Sequence, residues 1–295
     1  MKETLLIVAD SERDADMLYA VGMFVPDPFI YLNIGGRPHI VLNDLEIDRA
    51  RAQAPHCRVL SLSAYQRKLR AAGIKKSSFA KIIRQILREK KIRRVLVPDN
   101  FPFSLARDLK KLGIKLKPRV GIFPKREIKS ADEVKKISAA LAMAEVGMAE
   151  GMEVLRRAKI NRDRKLIYHG VPLTSERLRA VIDCAILQAN GMAANTIVAG
   201  GRQACDPHER GHGPLRAHEP IVIDIFPRSQ RTGYFGDITR TVVKGRASEA
   251  VRKLYDTVHR GQKAAFQLMR AAVKGQAGRK KIFDGLLSRL DEAVS

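Results

Sequence analysis

Two aspartates, Asp224 and Asp237, are the residues of this sequence whose type and spacing best suit catalytic chemistry. Asp224 follows three β-branched residues in the segment IVIDIF, which is typical of a buried strand. Asp237 comes 13 residues later, on the expected return strand. In an antiparallel hairpin such an offset can bring two carboxylates onto one face of neighbouring strands.

Two carboxylates on one buried face need a compensating charge. They repel each other and each loses hydration, so the pair is costly unless a cation lies between them. Carboxylate oxygens suit divalent ions such as Mn, Co or Zn. A single aspartate in a strand is more often a hydrogen-bonded structural acid, but the pair of Asp224 and Asp237 favours a metal site.

The surroundings of the pair form recognisable motifs, with IDI at 223–225, GYFGDITRT at 233–241 and REIKSADEVKK at 126–136. These motifs resemble the pita-bread-fold metallopeptidase family, which includes Xaa-Pro aminopeptidases, prolidases and metal-free, creatinase-like proteins. The resemblance extends over essentially the whole chain. It implies an aminopeptidase or dipeptidase that hydrolyses peptide bonds next to proline with water activated by two divalent ions.

The resemblance also implies roles for single residues. Asp224 and Asp237 match the first two of five metal ligands, and Thr239 would lie just outside them. His208, in DPHER at 206–210, matches a histidine that contacts the substrate or the tetrahedral intermediate, so it is the candidate catalytic residue. The alternative for His208 is an ordinary exposed loop histidine.

The three remaining ligands that the resemblance implies, one His and two Glu, should lie well downstream of Asp237. Only 58 residues follow Asp237, and their pattern is helical, with His259 inside a helix. We therefore expect an incomplete metal site in this chain. A metal-free relative that acts as a nucleic-acid- or protein-binding module is the alternative function, and a non-functional fragment is a third interpretation.

The pattern of apolar residues predicts an α/β (α+β) fold. By resemblance, residues 1–125 form a creatinase-type N-terminal domain and residues 126–295 an incomplete pita-bread catalytic domain. Helices are expected at 77–91, from Ser130 onward, at Ser175–Gln188, at 248–273 and at Lys281–Val294. The expected strands are Leu5–Ala9, 29–33, 39–42, 58–62, Arg94–Pro98, 114–117, 196–199, 220–226 and 233–243.

The chain is strongly basic, with 55 Lys and Arg against 31 Asp and Glu and a formal net charge of +24. The excess is concentrated in residues 51–125, which hold 21 basic and 3 acidic residues. This region could bind nucleic acid by counterion release, or it could be a solvated basic surface. A peptide with proline near its N-terminus is the expected substrate, and a homodimer is expected.

No apolar run of 18 residues occurs, and the apolar stretch near the N-terminus is too short for a signal peptide. The three cysteines show no CxxC spacing and are expected to be reduced. We therefore expect a cytoplasmic protein without a membrane partner.

Overall fold

The structure is a computed structural model, and it describes residues 3–273. The chain divides into two compact units, residues 1–130 and residues 131–295. The predicted helix at Lys281–Val294 lies outside the described residues. The predicted boundary between the N-terminal and catalytic domains, at residues 125 and 126, stays a prediction.

The described part of the first unit alternates strands and helices, which is the mixed α/β class that the sequence predicts. Its elements are β1 (Leu5–Ala9), α1 (Ala15–Val21), β2 (Phe29–Ile34), β3 (Arg37–Leu42), α2 (Ile47–Gln53), β4 (Arg58–Ser61), α3 (Leu62–Ala71), α4 (Phe79–Glu89), β5 (Arg94–Pro98), α5 (Phe103–Lys111) and β6 (Lys115–Arg119).

The six strands form one sheet in the order β4-β3-β2-β1-β5-β6. The pairs β1–β2 and β2–β3 are antiparallel, whereas β1–β5, β3–β4 and β5–β6 are parallel. In the turn between β2 and β3, Gly35 and Gly36 adopt the positive φ that a tight turn requires.

Helices cover both faces of this sheet because its strands are apolar on both sides. One face packs against α3, α4 and α5, with Ile83 and Leu87 of α4 fully buried. The other face packs against α1 and α2, with Met17 of α1 and Ala50 of α2 fully buried. The helix predicted at 77–91 is confirmed, and it spans 79–89 as α4.

The described part of the second unit combines three helices with short strands. Its elements are α6 (Ala131–Arg157), β7 (Lys159–Ile160), β8 (Leu166–Tyr168), β9 (Val171–Pro172), α7 (Ser175–Gln188), β10 (Gly191–Met192), β11 (Ile197–Gly200), β12 (Pro220–Ile225), β13 (Arg228–Ser229), β14 (Ile238–Val243) and α8 (Glu249–Val273).

The sheet that carries the candidate ligands has the antiparallel order β11-β12-β14. Alternate residues of β12, namely Ile221, Ile223 and Ile225, are fully buried in a core shared with α6 and α7. Helix α7 has the bounds that the sequence predicts, and α6 begins directly after Ser130. The intervening residues of β12 therefore face away from this core.

The strand predicted at 233–243 is wrong in its first half, because β14 begins only at Ile238. Pro227 on the facing segment has no backbone N–H to donate to a ladder. Gly236 instead donates its own N–H to the Pro227 carbonyl, at 3.0 Å. The hairpin is therefore regular near its base and irregular where it reaches Asp237.

In the described part of the chain, no helix has both the length and the apolar character needed to cross a membrane.

Candidate metal centre

Asp224 projects from the open face of β12. Its neighbours Ile223 and Ile225 point into the core, and alternation places the Asp224 side chain on the opposite side, where it is half-buried. The prediction that Asp224 lies on a buried strand therefore holds for only one face of β12. Water can reach the carboxylate, which a site for hydrolysis requires.

Asp237 lies one residue before β14 and is exposed. Loss of solvent raises the pKa of its carboxyl, and the nearby charge of Asp224 raises that pKa further. The two carboxylates are thus close enough to repel each other. The expectation of two buried carboxylates is wrong for Asp237, but the expected electrostatic conflict between the two aspartates is present.

Thr239 connects the two strands of the site. It lies directly opposite Asp224 in the register of β12 and β14, and its hydroxyl donates a hydrogen bond to Asp224 Oδ1 at 2.5 Å. Asp237 comes two residues before Thr239, and the charge of Asp224 acts on its carboxyl, so the three side chains lie near one another. Thr239 therefore holds one carboxylate oxygen of Asp224 and leaves the other oxygen free to bind a cation.

Helix α6 holds the turn that precedes Asp237. The Tyr234 hydroxyl donates to Glu133 Oε1 at 2.9 Å, and Lys136 Nζ lies 5.6 Å from the centre of the Tyr234 ring. A Cβ added at Gly236 would lie 2.3 Å from the Ala140 carbonyl oxygen. These positioning residues were not among the predicted site residues, although the Gly and Tyr of GYFGDITRT were a signal for them.

His208 lies in an exposed loop between β11 and β12. Its backbone N–H is bonded to Asp206 Oδ1 at 2.9 Å. None of the contacts described for residues 3–273 joins its side chain to Asp224 or Asp237. The structure therefore brings the two aspartates near each other and, within residues 3–273, describes no contact of the His208 side chain with either.

Two side chains of α7 hold the end of the His208 loop. Arg179 donates to the Gly211 carbonyl at 3.0 Å, and Glu176 accepts the Gly213 N–H at 3.1 Å. Hydrogen bonds from Thr174 and from backbone N–H groups lower the pKa of Glu176. Gly211 cannot carry a side chain, because a Cβ there would lie 1.8 Å from the Val198 carbonyl oxygen.

Asp224 and Asp237 suit a divalent cation in their chemistry. Their donors are carboxylate oxygens, and a cation would relieve the repulsion that raises the pKa of Asp237. Within residues 3–273 no cluster of three or more His, Cys, Asp or Glu side chains could hold a metal ion. Among the described residues, Asp224 and Asp237 therefore fit a metal ion as two of its ligands. His259 lies within α8, stacked on Tyr255 as a helical residue.

Comparison with known families matches the model of metallopeptidase family M24 to residues 135–284, just over half of the chain. Xaa-Pro aminopeptidase 1 of Streptomyces coelicolor is 27% identical over 158 residues, which are 53% of this chain and 30% of that protein. The Xaa-Pro dipeptidase of Lactobacillus helveticus is 24% identical over 158 residues, which are 51% of this chain and 38% of that protein. The matched region therefore spans well under half the length of these relatives.

Solved structures share the fold at low sequence identity. The X-Pro aminopeptidase of Thermotoga maritima superposes with a TM-score of 0.72 at 18% identity, covering 90% of this chain and 69% of that chain. The prolidase of Pyrococcus furiosus gives a TM-score of 0.68 at 18% identity, covering 89% and 68%. The fold is thus the pita-bread fold with its N-terminal domain, as the resemblance implied.

Proposed function

The chain belongs to metallopeptidase family M24, and we propose that it acts as a metal-dependent peptidase of the Xaa-Pro type, with Asp224 and Asp237 as metal ligands. The names of its relatives support a peptidase over a metal-free binding module. The proposed cofactor is a pair of divalent ions, Mn, Co or Zn, and the proposed substrate is a peptide with proline near its N-terminus.

One observation carries the proposal: Asp224 lies opposite Thr239 in the strand register and accepts its hydroxyl hydrogen bond, and Asp237 comes only two residues before Thr239, so the two carboxylates lie near each other. A bound cation would remove the repulsion between two neighbouring carboxylates. The match to the family model covers the same hairpin.

Each residue of the site has a proposed task. Divalent ions bound there would lower the pKa of water and polarise the scissile carbonyl. Thr239 holds the Asp224 carboxylate in one orientation, so its other oxygen is free to bind a metal ion. The contacts of Tyr234 and Gly236 with α6 hold Asp237 beside it. His208 would donate to the developing oxyanion.

Metal titration tests the ligand assignment. Isothermal titration of Mn²⁺ into the full chain is expected to show weak, saturable binding, with a Kd on the order of 10⁻⁴ to 10⁻³ M for a site with few charged ligands. Asp224→Asn and Asp237→Asn should each weaken it about tenfold or more, because each removes one of two anionic ligands. Asp163→Asn, an exposed aspartate of the same unit, is the matched control.

Unchanged Mn²⁺ binding in both ligand variants would overturn the assignment, whereas two tight sites would contradict the expectation of an incomplete metal site. Hydrolysis of Xaa-Pro dipeptides and of tripeptides with proline second, with and without Mn²⁺, tests the peptidase itself. Loss of that activity in His208→Ala, with Mn²⁺ binding intact, is the expected result for an oxyanion donor. A homodimer, a cytoplasmic location and nucleic-acid binding stay predictions.

A further inference from the structure

The two helical layers of the N-terminal unit carry very different charge. Helices α3, α4 and α5 lie on one side of the sheet and carry nine Lys or Arg but only two acidic residues, Glu89 and Asp108. Helices α1 and α2, on the other side, carry two basic and two acidic residues. The folded sheet therefore collects the basic excess of the sequence on one side, which we name the α3–α5 face.

Ion pairs neutralise the α1–α2 side. Arg49 pairs with Glu46, Arg51 pairs with Asp48, and Asp16 of α1 pairs with Arg126. The basic residues of α1 and α2 thus have carboxylate partners.

The α3–α5 face keeps most of its charge. Its two acidic residues are each engaged by one cation, Lys68 with Glu89 and Arg107 with Asp108. The remaining exposed cations, among them Arg84, Arg88 and Lys110, form no ion pair within the described residues. Arg84 and Arg88 are one turn apart on the outer side of α4, because Ile83 and Leu87 occupy its inner side.

The three helices are neighbours, with α4 between α3 and α5. Packed helices lie about 8–10 Å apart, so the face is roughly 20 Å wide. This is close to the width of a nucleic-acid duplex, whose two strands together place one negative charge about every 1.7 Å of axis. The surface therefore has the extent and sign to contact several phosphates at once.

We propose that the α3–α5 face binds the phosphate backbone of double-stranded nucleic acid without regard to base sequence. Single strands bind through stacking on several aromatic side chains, and membranes bind through an apolar face beside the charges. Within the described part of α3, α4 and α5, Phe103 is the only large apolar side chain that is exposed. The α3–α5 face therefore lacks the aromatic side chains for base stacking and the apolar side chains for membrane insertion, whereas its Lys and Arg side chains can contact phosphates.

Fluorescence anisotropy of a short labelled DNA duplex, and of an RNA duplex of the same sequence, tests this face with the full chain. Non-specific binding with a Kd of about 10⁻⁴ to 10⁻⁶ M is expected. If about five phosphates are contacted, log K should fall with log salt with a slope of about −4 to −5 between roughly 50 and 200 mM. Equal binding of both duplexes is expected for a backbone contact.

A charge-matched pair of variants locates the binding. The first is the triple variant Arg84→Gln, Arg88→Gln and Lys110→Gln, on exposed positions of the face. It should bind about tenfold or more weakly, with a slope less steep by about 2 to 3, because each lost phosphate contact removes about one unit.

The matched control carries the same loss of charge at exposed positions of the other unit. Its substitutions are Arg162→Gln, Arg202→Gln and Lys253→Gln.

The control should bind the duplexes like the unmodified chain. Equal weakening in both triple variants would mean that net charge alone attracts the duplex, and the proposed face would be wrong. Binding that does not weaken with salt would also overturn it, as would stronger binding to single strands or to vesicles of anionic lipid. Asp224→Asn should leave duplex binding unchanged, so this test is independent of the metal site.

Discussion

Thr239 donates its hydroxyl proton to Asp224 Oδ1 across the antiparallel pair of β12 and β14, at 2.5 Å. The bond joins a candidate ligand on one strand to the residue directly opposite it on the next. The orientation of the Asp224 carboxylate is therefore a property of the hairpin register rather than of Asp224 alone.

Replacing Thr239 with Val should destabilise the chain by about 1 kcal/mol, because a hydrogen bond to a charged acceptor is lost at a partly solvated position. Urea denaturation measures the change. Thr241→Val is the matched control, since Thr241 is also exposed on the same face of β14. Equal destabilisation by the two substitutions would contradict a specific role for the bond.

The raised pKa of Asp237 gives a pH-dependent prediction for Asp237→Asn in the absence of metal. The folded chain holds the Asp237 carboxyl proton more tightly than the unfolded chain does. This group therefore stabilises the folded chain when the pH is below the ordinary pKa of 3.8, and it loses that effect as the pH rises through the raised pKa. Asp237→Asn should therefore raise Tm at pH 7 slightly, by less than about 2 °C.

The difference should vanish near pH 3, where the carboxyl is protonated in both states. Scanning calorimetry at the two pH values measures it, with Asp163→Asn as control. A lower Tm for Asp237→Asn at pH 7 would mean that Asp237 is a stabilising acid, contrary to its position beside Asp224.

Gly236→Ala should strongly disturb the hairpin, because the new Cβ would lie 2.3 Å from the Ala140 backbone of α6. Relieving this overlap requires the backbone of the hairpin or of the helix to move. Overpacking of this kind costs about 1–3 kcal/mol. Gly200→Ala is the control, since its Cβ would meet only the end of the Leu215 side chain, at 3.0 Å.

Urea denaturation should show a clearly larger loss for Gly236→Ala than for Gly200→Ala. Mn²⁺ binding should weaken with it, because the displaced residue precedes Asp237. A Gly236→Ala chain with unchanged stability and unchanged Mn²⁺ binding would show that contact with α6 does not position the turn.

The two faces of β12 should respond differently to truncation. Ile223 is fully buried against α6 and α7, so Ile223→Ala should lose about 2–5 kcal/mol of unfolding free energy. Val222, on the open face, is only half-buried, and Val222→Ala should lose about 1 kcal/mol or less. Similar losses from the two denaturation curves would argue that both faces are buried.

The amino-acid sequence by itself determined the elements whose signals are local. The bounds of β1, β5 and α7 follow from contiguous apolar runs or from a helical stripe closed by a polar cap, and each was predicted to the residue. The motif around Asp224 and Asp237 likewise indicated the family, because it is a short and specific pattern.

Only the tertiary structure decided what depends on distant partners. The short strands β10 and β13 exist through pairing between residues far apart in the chain. Strands β7, β8 and β9 pair with sequence neighbours, but each has only two or three residues, too few to show a period. Just before the late start of β14, Gly236 bonds to the Pro227 carbonyl and lies against α6, and the second of these contacts joins residues far apart in the chain. The exposure of Asp237 and the one-sided burial of β12 follow from which face meets a helix, because a β-branched run has the same local pattern whether one face or both are covered.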